Sequence, residues 1–129
     1  MEQLANCELI LDIDLIELIA GGNQKFQIHF ITTDKKKYYL EFDHVWDLRY
    51  SIENGYIERF CRFRENLPEG IIENGIYIVE NSNYTNYFEQ QCCGTRPTED
   101  IVDYLICDQI DSSVEVLTCW PPKLVEKTD

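Results

Sequence analysis

Two runs of alternating apolar and polar residues set the strongest constraint on how this chain folds. Phe26, Ile28 and Phe30 alternate with polar neighbours from Phe26 to Thr33, and Tyr38, Leu40 and Phe42 alternate from Lys37 to Asp43. Successive side chains of a strand point to opposite faces, so each run carries one apolar face that has to be buried. Only Asp34-Lys35-Lys36 separates the two runs, which therefore read as a β-hairpin.

The flanking segments extend this pattern. Over residues 8–18, Leu9, Leu11, Ile13 and Leu15 fall on one face and Glu8, Asp12 and Asp14 on the other, predicting a strand that Gly21-Gly22-Asn23 closes. The period then changes. Val45, Leu48, Ile52, Tyr56 and Phe60 recur at three- and four-residue spacing and predict a main helix over Asp43–Phe63. Asp43 would cap it; Asp43 and Asp47 near its start and Arg59, Arg62 and Arg64 near its end suit the helix dipole. Gly55 marks a plausible break, and Pro68 and Gly70 end the element. Gly75–Glu80 reads as a short strand, and Asn83–Gln91 as one or two helical turns. Pro97 to Asp100 approaches a new element. Val102–Cys107 and Val114–Cys119 read as a second hairpin, turning at Gln109–Ser112 and stopped by Pro121-Pro122. The fold class expected is α+β: one largely antiparallel sheet of about five to six strands against one main helix, Asp43–Phe63, plus short helical turns. Residues 1–129 are expected to form a single domain, long enough to bury about two-thirds of its unfolded surface.

Charge divides the chain. Lys and Arg total 11 against 24 Asp and Glu, a net charge of −13. From Glu65 to Cys119 Arg96 is the lone cation, whereas most cations lie between residues 25 and 64. A small domain stays dispersed with a net charge of about 2 to 8, so this excess exceeds what solubility asks for. It repels nucleic acid and anionic membrane and speeds encounter with a basic partner. Two Trp, eight Tyr and six Phe within a 44% hydrophobic composition argue against a disordered acidic tail. No apolar run approaches the roughly 20 residues of a membrane span. The start, MEQLANCELILDID, lacks the basic region of a secretory signal, so a cytoplasmic location is expected. Cys7, Cys61, Cys92, Cys93, Cys107 and Cys119 then read as reduced thiols.

Catalytic signatures are missing: there is no phosphate-cradling glycine loop, no histidine pair on a helix and no nucleophile elbow. His29 and His44 fall in different elements, and the adjacent Cys92-Cys93 leave no room to wrap a zinc ion. The expectation is therefore no catalytic residue, no metal and no cofactor. What the C-terminal half offers is carboxylates interleaved with aromatic rings. Glu99, Asp100, Asp103, Asp108, Asp111 and Glu115 would steer and pair with a basic surface, and Tyr84, Tyr87 and Trp120 would anchor it.

Two segments, FDHVWDLRYSIENGYIERF (Phe42–Phe60) and DYLICDQIDSSVEVLTCWPP (Asp103–Pro122), resemble small bacterial immunity proteins of contact-dependent growth inhibition and related polymorphic toxin systems. The likeness covers about 40 residues. It implies a non-enzymatic antidote that binds a cognate toxin C-terminal domain, often an RNase, tRNase or DNase, and blocks its active site. Two alternatives stay open: an adaptor or assembly module that binds a basic protein, and a small Cys/His enzyme.

Overall fold

A computed structural model describes residues 2–52, 57–67, 75–94 and 100–128. The hairpin read from the sequence is present as β3 (Lys25–Thr32) and β4 (Lys37–Phe42). Phe26 stands opposite Phe42, Ile28 opposite Leu40 and Phe30 opposite Tyr38, so both apolar faces lie on one side. Strand β2 (Ile13–Gly22) pairs with β3, starting later than the pattern over residues 8–18 suggests. The chain reverses at Asn23 and Gln24, both at positive φ. Gly21 lies at φ +145, where a Cβ would come within 2.1 Å of the Lys25 carbonyl oxygen, so a side chain has no place there. After Pro121-Pro122 the chain forms β9 (Lys123–Glu126), which pairs with β4 and completes a four-stranded sheet in the order β2-β3-β4-β9.

A second sheet holds β1 (Gln3–Asn6), β5 (Val45–Ile52), β6 (Ile76–Glu80), β7 (Val102–Cys107) and β8 (Ser112–Thr118) in the order β1-β6-β7-β8-β5. Every pairing in both sheets is antiparallel. The α+β class holds, with two sheets in place of one. Their facing sides form the main core. Ile13, Ile28, Phe30, Leu40 and Phe42 from the first sheet meet Val45, Ile76, Tyr104, Ile106, Val114 and Val116 from the second. The outer face of the five-stranded sheet is covered by α1 (Ile57–Glu65), whose Phe63 packs with Leu4, Tyr77, Val79 and Leu105. The second helix, α2 (Asn83–Gln91), caps its start on Ser82, whose hydroxyl accepts from the Thr85 N–H at 3.0 Å. Strands β7 and β8 are thus covered on both faces, which explains their nearly continuous burial.

The long helix expected over Asp43–Phe63 is not formed. Residues 45–52 are β5, and helix begins only at Ile57; Gly55, Pro68 and Gly70 lie outside the described residues. Two periods compete in this segment. The stripe Val45, Leu48, Ile52 suits a helix, but Trp46, Leu48, Tyr50 and Ile52 also alternate with Asp47, Arg49 and Ser51. Strand β8 decides it. Leu48 stands opposite Val116 and Tyr50 opposite Val114, adding cross-strand contacts that an isolated helix lacks. Asp43 accordingly sits in the β4–β5 turn and caps no helix. Among the described residues, no helix is long and apolar enough to cross a membrane.

Candidate interaction surface

The outer face of the five-stranded sheet carries an ion network under the helices. Arg49 and Glu115 are direct cross-strand partners, with Arg49 Nη2 2.7 Å from Glu115 Oε1. Arg59, from α1, donates to the same carboxylate at 2.7 and 2.8 Å and to Glu2 at 3.1 Å from two of its nitrogens. Glu2 also accepts the Asn83 N–H at 2.9 Å, fastening the start of α2. Asp103 sits diagonally across from Glu115, its strand neighbour being Leu117, and accepts from the Ser82 hydroxyl at 2.5 Å.

More acids than bases meet in this network. Arg49 and Arg59 face three buried carboxyl groups, Glu2, Asp103 and Glu115. Among them Asp103 has its ionisation pushed well above the carboxylate range by burial and by the adjoining Glu115. Asp103 Oδ1 has no donor to receive among the described residues; protonated, the group becomes a donor to Glu115. Burial opposes the charge on Glu115, but the Arg59 hydrogen bonds outweigh it and hold that carboxyl below its usual range. Beside the network, the Arg49 guanidinium lies 3.9 Å from the centroid of the Tyr84 ring, and the Tyr84 hydroxyl donates to Asp47. Desolvation and that hydrogen bond push the phenol up.

Four of the residues expected to meet a partner are therefore internal. Asp103, Glu115 and Tyr84 belong to or abut the network. Asp108 is buried as well, accepting from the N–H groups of Ile110, Asp111 and Ser112 at 2.9 to 3.0 Å and, through its other oxygen, from Ile16. It braces the β7–β8 turn against β2 and cannot face outward without dismantling that turn. Asp111 lies in this turn, half-buried, and Glu99 falls outside the described residues.

At the opposite end of the same sheet an acidic, aromatic surface assembles. Val102 pairs with Thr118, and Thr118 with Val45, so the chain just before β7, just after β8 and just before β5 converges there. These positions are Asp100, Trp120 and Asp43-His44, all exposed. Glu80, closing β6 beside the start of β7, is exposed too. Trp120 is 55% exposed and lies against the His44 ring, with centroids 5.3 Å apart. Trp46 is 40% exposed, its indole N–H donating to Cys119 Sγ at 3.3 Å. Asp47 is exposed on the next residue, and Tyr87, one turn along α2 from Tyr84, is 60% exposed. The nearest lysines, Lys25 and Lys123, belong to the other sheet, where Lys123 stands opposite Glu41.

Of the expected contacts, this end includes Asp100 and Trp120, with Tyr87 on the adjoining helix. Trp46, Asp43, Asp47, His44 and Glu80 were missed. The period-two run from Trp46 to Ile52 was the available signal for the first of them. His29 lies on β3, its Nε2 3.0 Å from Gln27 and its ring stacked on Tyr39, whereas the His44 ring lies against Trp120. Burial pushes the Cys107 thiol up to about 12. Among the described residues no cluster of three or more His, Cys, Asp or Glu side chains is arranged to hold a metal ion. No family model matches the chain, and neither a curated protein nor a solved structure matches it.

Proposed function

We propose that this chain is a cytoplasmic immunity protein: it binds a cognate bacterial toxin domain, a basic nuclease, and neutralises it by covering the active site. The observation that carries the reading is the placement of both tryptophans of the chain, Trp46 and Trp120, on one exposed end among Asp43, Asp47, Glu80 and Asp100. A nuclease site has to hold phosphate and is therefore cationic. Fixed carboxylates attract such a surface from a distance, and indole rings supply contact area at small entropic cost. The likeness of Phe42–Phe60 and Asp103–Pro122 to immunity proteins supports the same reading, since both segments border this end. Inhibition here takes no chemistry from the chain: the carboxylates act as charges and the rings as anchors.

Co-expression with toxin domains encoded beside the gene of this chain tests this. The two chains are expected to co-purify and the host to survive, and Trp46→Ala with Trp120→Ala together to abolish both. Host survival and complex yield unchanged in the double variant would refute the placement of the surface; no complex with any neighbouring toxin would refute the function.

A further inference from the structure

A chain of net charge −13 can approach a copy of itself only where its own charge is cancelled, and the four-stranded sheet is that place. All six lysines of the sequence lie within β2, β3, β4, β9 and the residues that join or follow them. Across residues 13–42 and 123–127, they meet five carboxylates: Asp14, Glu17, Asp34, Glu41 and Glu126. The rest of the chain keeps nearly all the negative charge.

The outer face of this sheet is a grid that the register defines. Its middle row is Leu18, His29, Tyr39 and Val125, and the next row is Leu15, Ile31 and Lys37, with Lys127 donating its N–H to the Lys37 carbonyl at 2.8 Å. Two register shifts in β2, between Ile13 and Leu15 and between Ile16 and Leu18, each insert an extra residue, Asp14 and Glu17. Asp14 and Glu17 thus stand at the β2 edge, Asp14 within 3.8 Å of Lys35, while Glu41 on β4 faces Lys123 and Lys37 adjoins Lys127 on the far side. Leu18 is 54% exposed and Leu15 36%, while Ile31, Tyr39 and Val125 are half-buried. His29 Nδ1 on this face is shielded and has no hydrogen-bond partner among the described residues.

We propose that two copies of this chain associate through the outer faces of their four-stranded sheets, about a two-fold axis parallel to the strands. This arrangement lays β2 of each copy over β9 of the other, because rotation about such an axis exchanges the two edges. Leu18 then meets Val125, and Glu17 comes beside Lys127, twice over by symmetry, while Lys123 stays opposite Glu41 of its own chain. The His29–Tyr39 stacks meet at the centre. Strands about 4.8 Å apart make a face roughly 20 Å wide, so the area falls short of an obligate interface and gives a weak, concentration-dependent dimer. The inference is independent of the proposed function, since it uses the other sheet.

Sedimentation equilibrium of the intact chain tests it. The expected result is a mass that rises from 15.3 kDa toward twice that value with concentration, with dissociation in the micromolar range or weaker, on the order of 10 to 100 μM. Leu18→Glu is expected to weaken the dimer at least tenfold while leaving the monomer folded, because Leu18 is exposed there. Glu17→Lys is expected to weaken it and Lys127→Glu, added to Glu17→Lys, to restore it. A monomer mass at every concentration up to about 1 mM would overturn the proposal. So would a dimer indifferent to all three substitutions.

Discussion

Arg59 of α1 and Glu115 of β8 meet in a two-pronged ion pair, at 2.7 and 2.8 Å, beneath a helix only nine residues long. Glu115 is almost wholly buried, and Arg49 approaches the same oxygen from β5. Three elements distant in sequence are fastened to one carboxylate. Removing a cation from such a pair leaves a buried charge uncompensated, which costs far more than the intact pair contributes. Arg59→Ala is expected to destabilise the fold by about 3–5 kcal/mol in urea unfolding. Arg49, a third exposed, is better screened, and Arg49→Ala should cost about 1–2 kcal/mol. The reverse order would mean that α1 is held mainly by Phe63 and its neighbours.

Asp103 predicts an unusual pH dependence. Its folded-state ionisation lies above the unfolded value, chiefly through desolvation. As pH rises past the ordinary carboxylate range, the unfolded chain releases a proton that the folded chain keeps. Stability therefore falls with increasing pH, by up to about 1.4 kcal/mol per pH unit, until the folded group also ionises. Glu115 acts in the opposite sense. Depressed by Arg59, it contributes stability above its unfolded value that is lost as pH drops through the folded one. Asp103→Asn keeps the donor and removes the titration, so its advantage over the native chain is expected to widen from about pH 5 to about pH 8. Urea melts at three pH values measure this; parallel curves for the two proteins would show that Asp103 is ionised in the folded state.

How much of this was legible beforehand differs between the two sheets. The β3–β4 and β7–β8 hairpins follow from alternation and short turns, since both depend on local signals. Strand β5 was hidden because its residues satisfy two periods, and only β8, 60 or more positions away, selects between them. The short strands β1 and β9, four residues each, carry too little pattern to stand out. The charge excess of residues 65–119 was visible, but its direction was not. Sequence counts Asp103, Asp108 and Glu115 as acidic surface, whereas the Ser82 hydroxyl, a ring of backbone N–H groups, and Arg49 with Arg59 respectively hold them inside.

Asp108 and Asp111 make a matched pair, three residues apart in one turn. Asp108 receives four backbone N–H groups, so Asp108→Ala leaves buried donors without a partner and should cost about 2–3 kcal/mol. The side chain of Asp111 makes no such set of contacts, and Asp111→Ala should change stability by less than about 0.5 kcal/mol. Chemical denaturation of both variants decides this. Equal losses would place the strength of the turn in its charge and not in its hydrogen bonds.

The two tryptophans make binding at the acidic end directly observable. Both lie there, so intrinsic fluorescence reports on that surface and on little else. A cationic partner settling over the indoles is expected to shift their emission saturably. Trp46→Ala and Trp120→Ala should each weaken binding by about 10- to 100-fold, as hot-spot anchors do, with modest loss of stability because the rings are 40% and 55% exposed in the free chain. Asp43→Asn and Asp100→Asn should act differently: they slow association and flatten its dependence on salt, while the dissociation rate changes little, because rim charges steer encounter more than they hold a complex. Asp111→Asn, at the far end of the sheet, is the control. Stopped-flow fluorescence with such a cationic partner at about 50 and 300 mM salt separates these effects. If Asp111→Asn slows association as much as Asp43→Asn and Asp100→Asn, the attraction comes from the net charge of the whole chain and the located acidic end has no part in it.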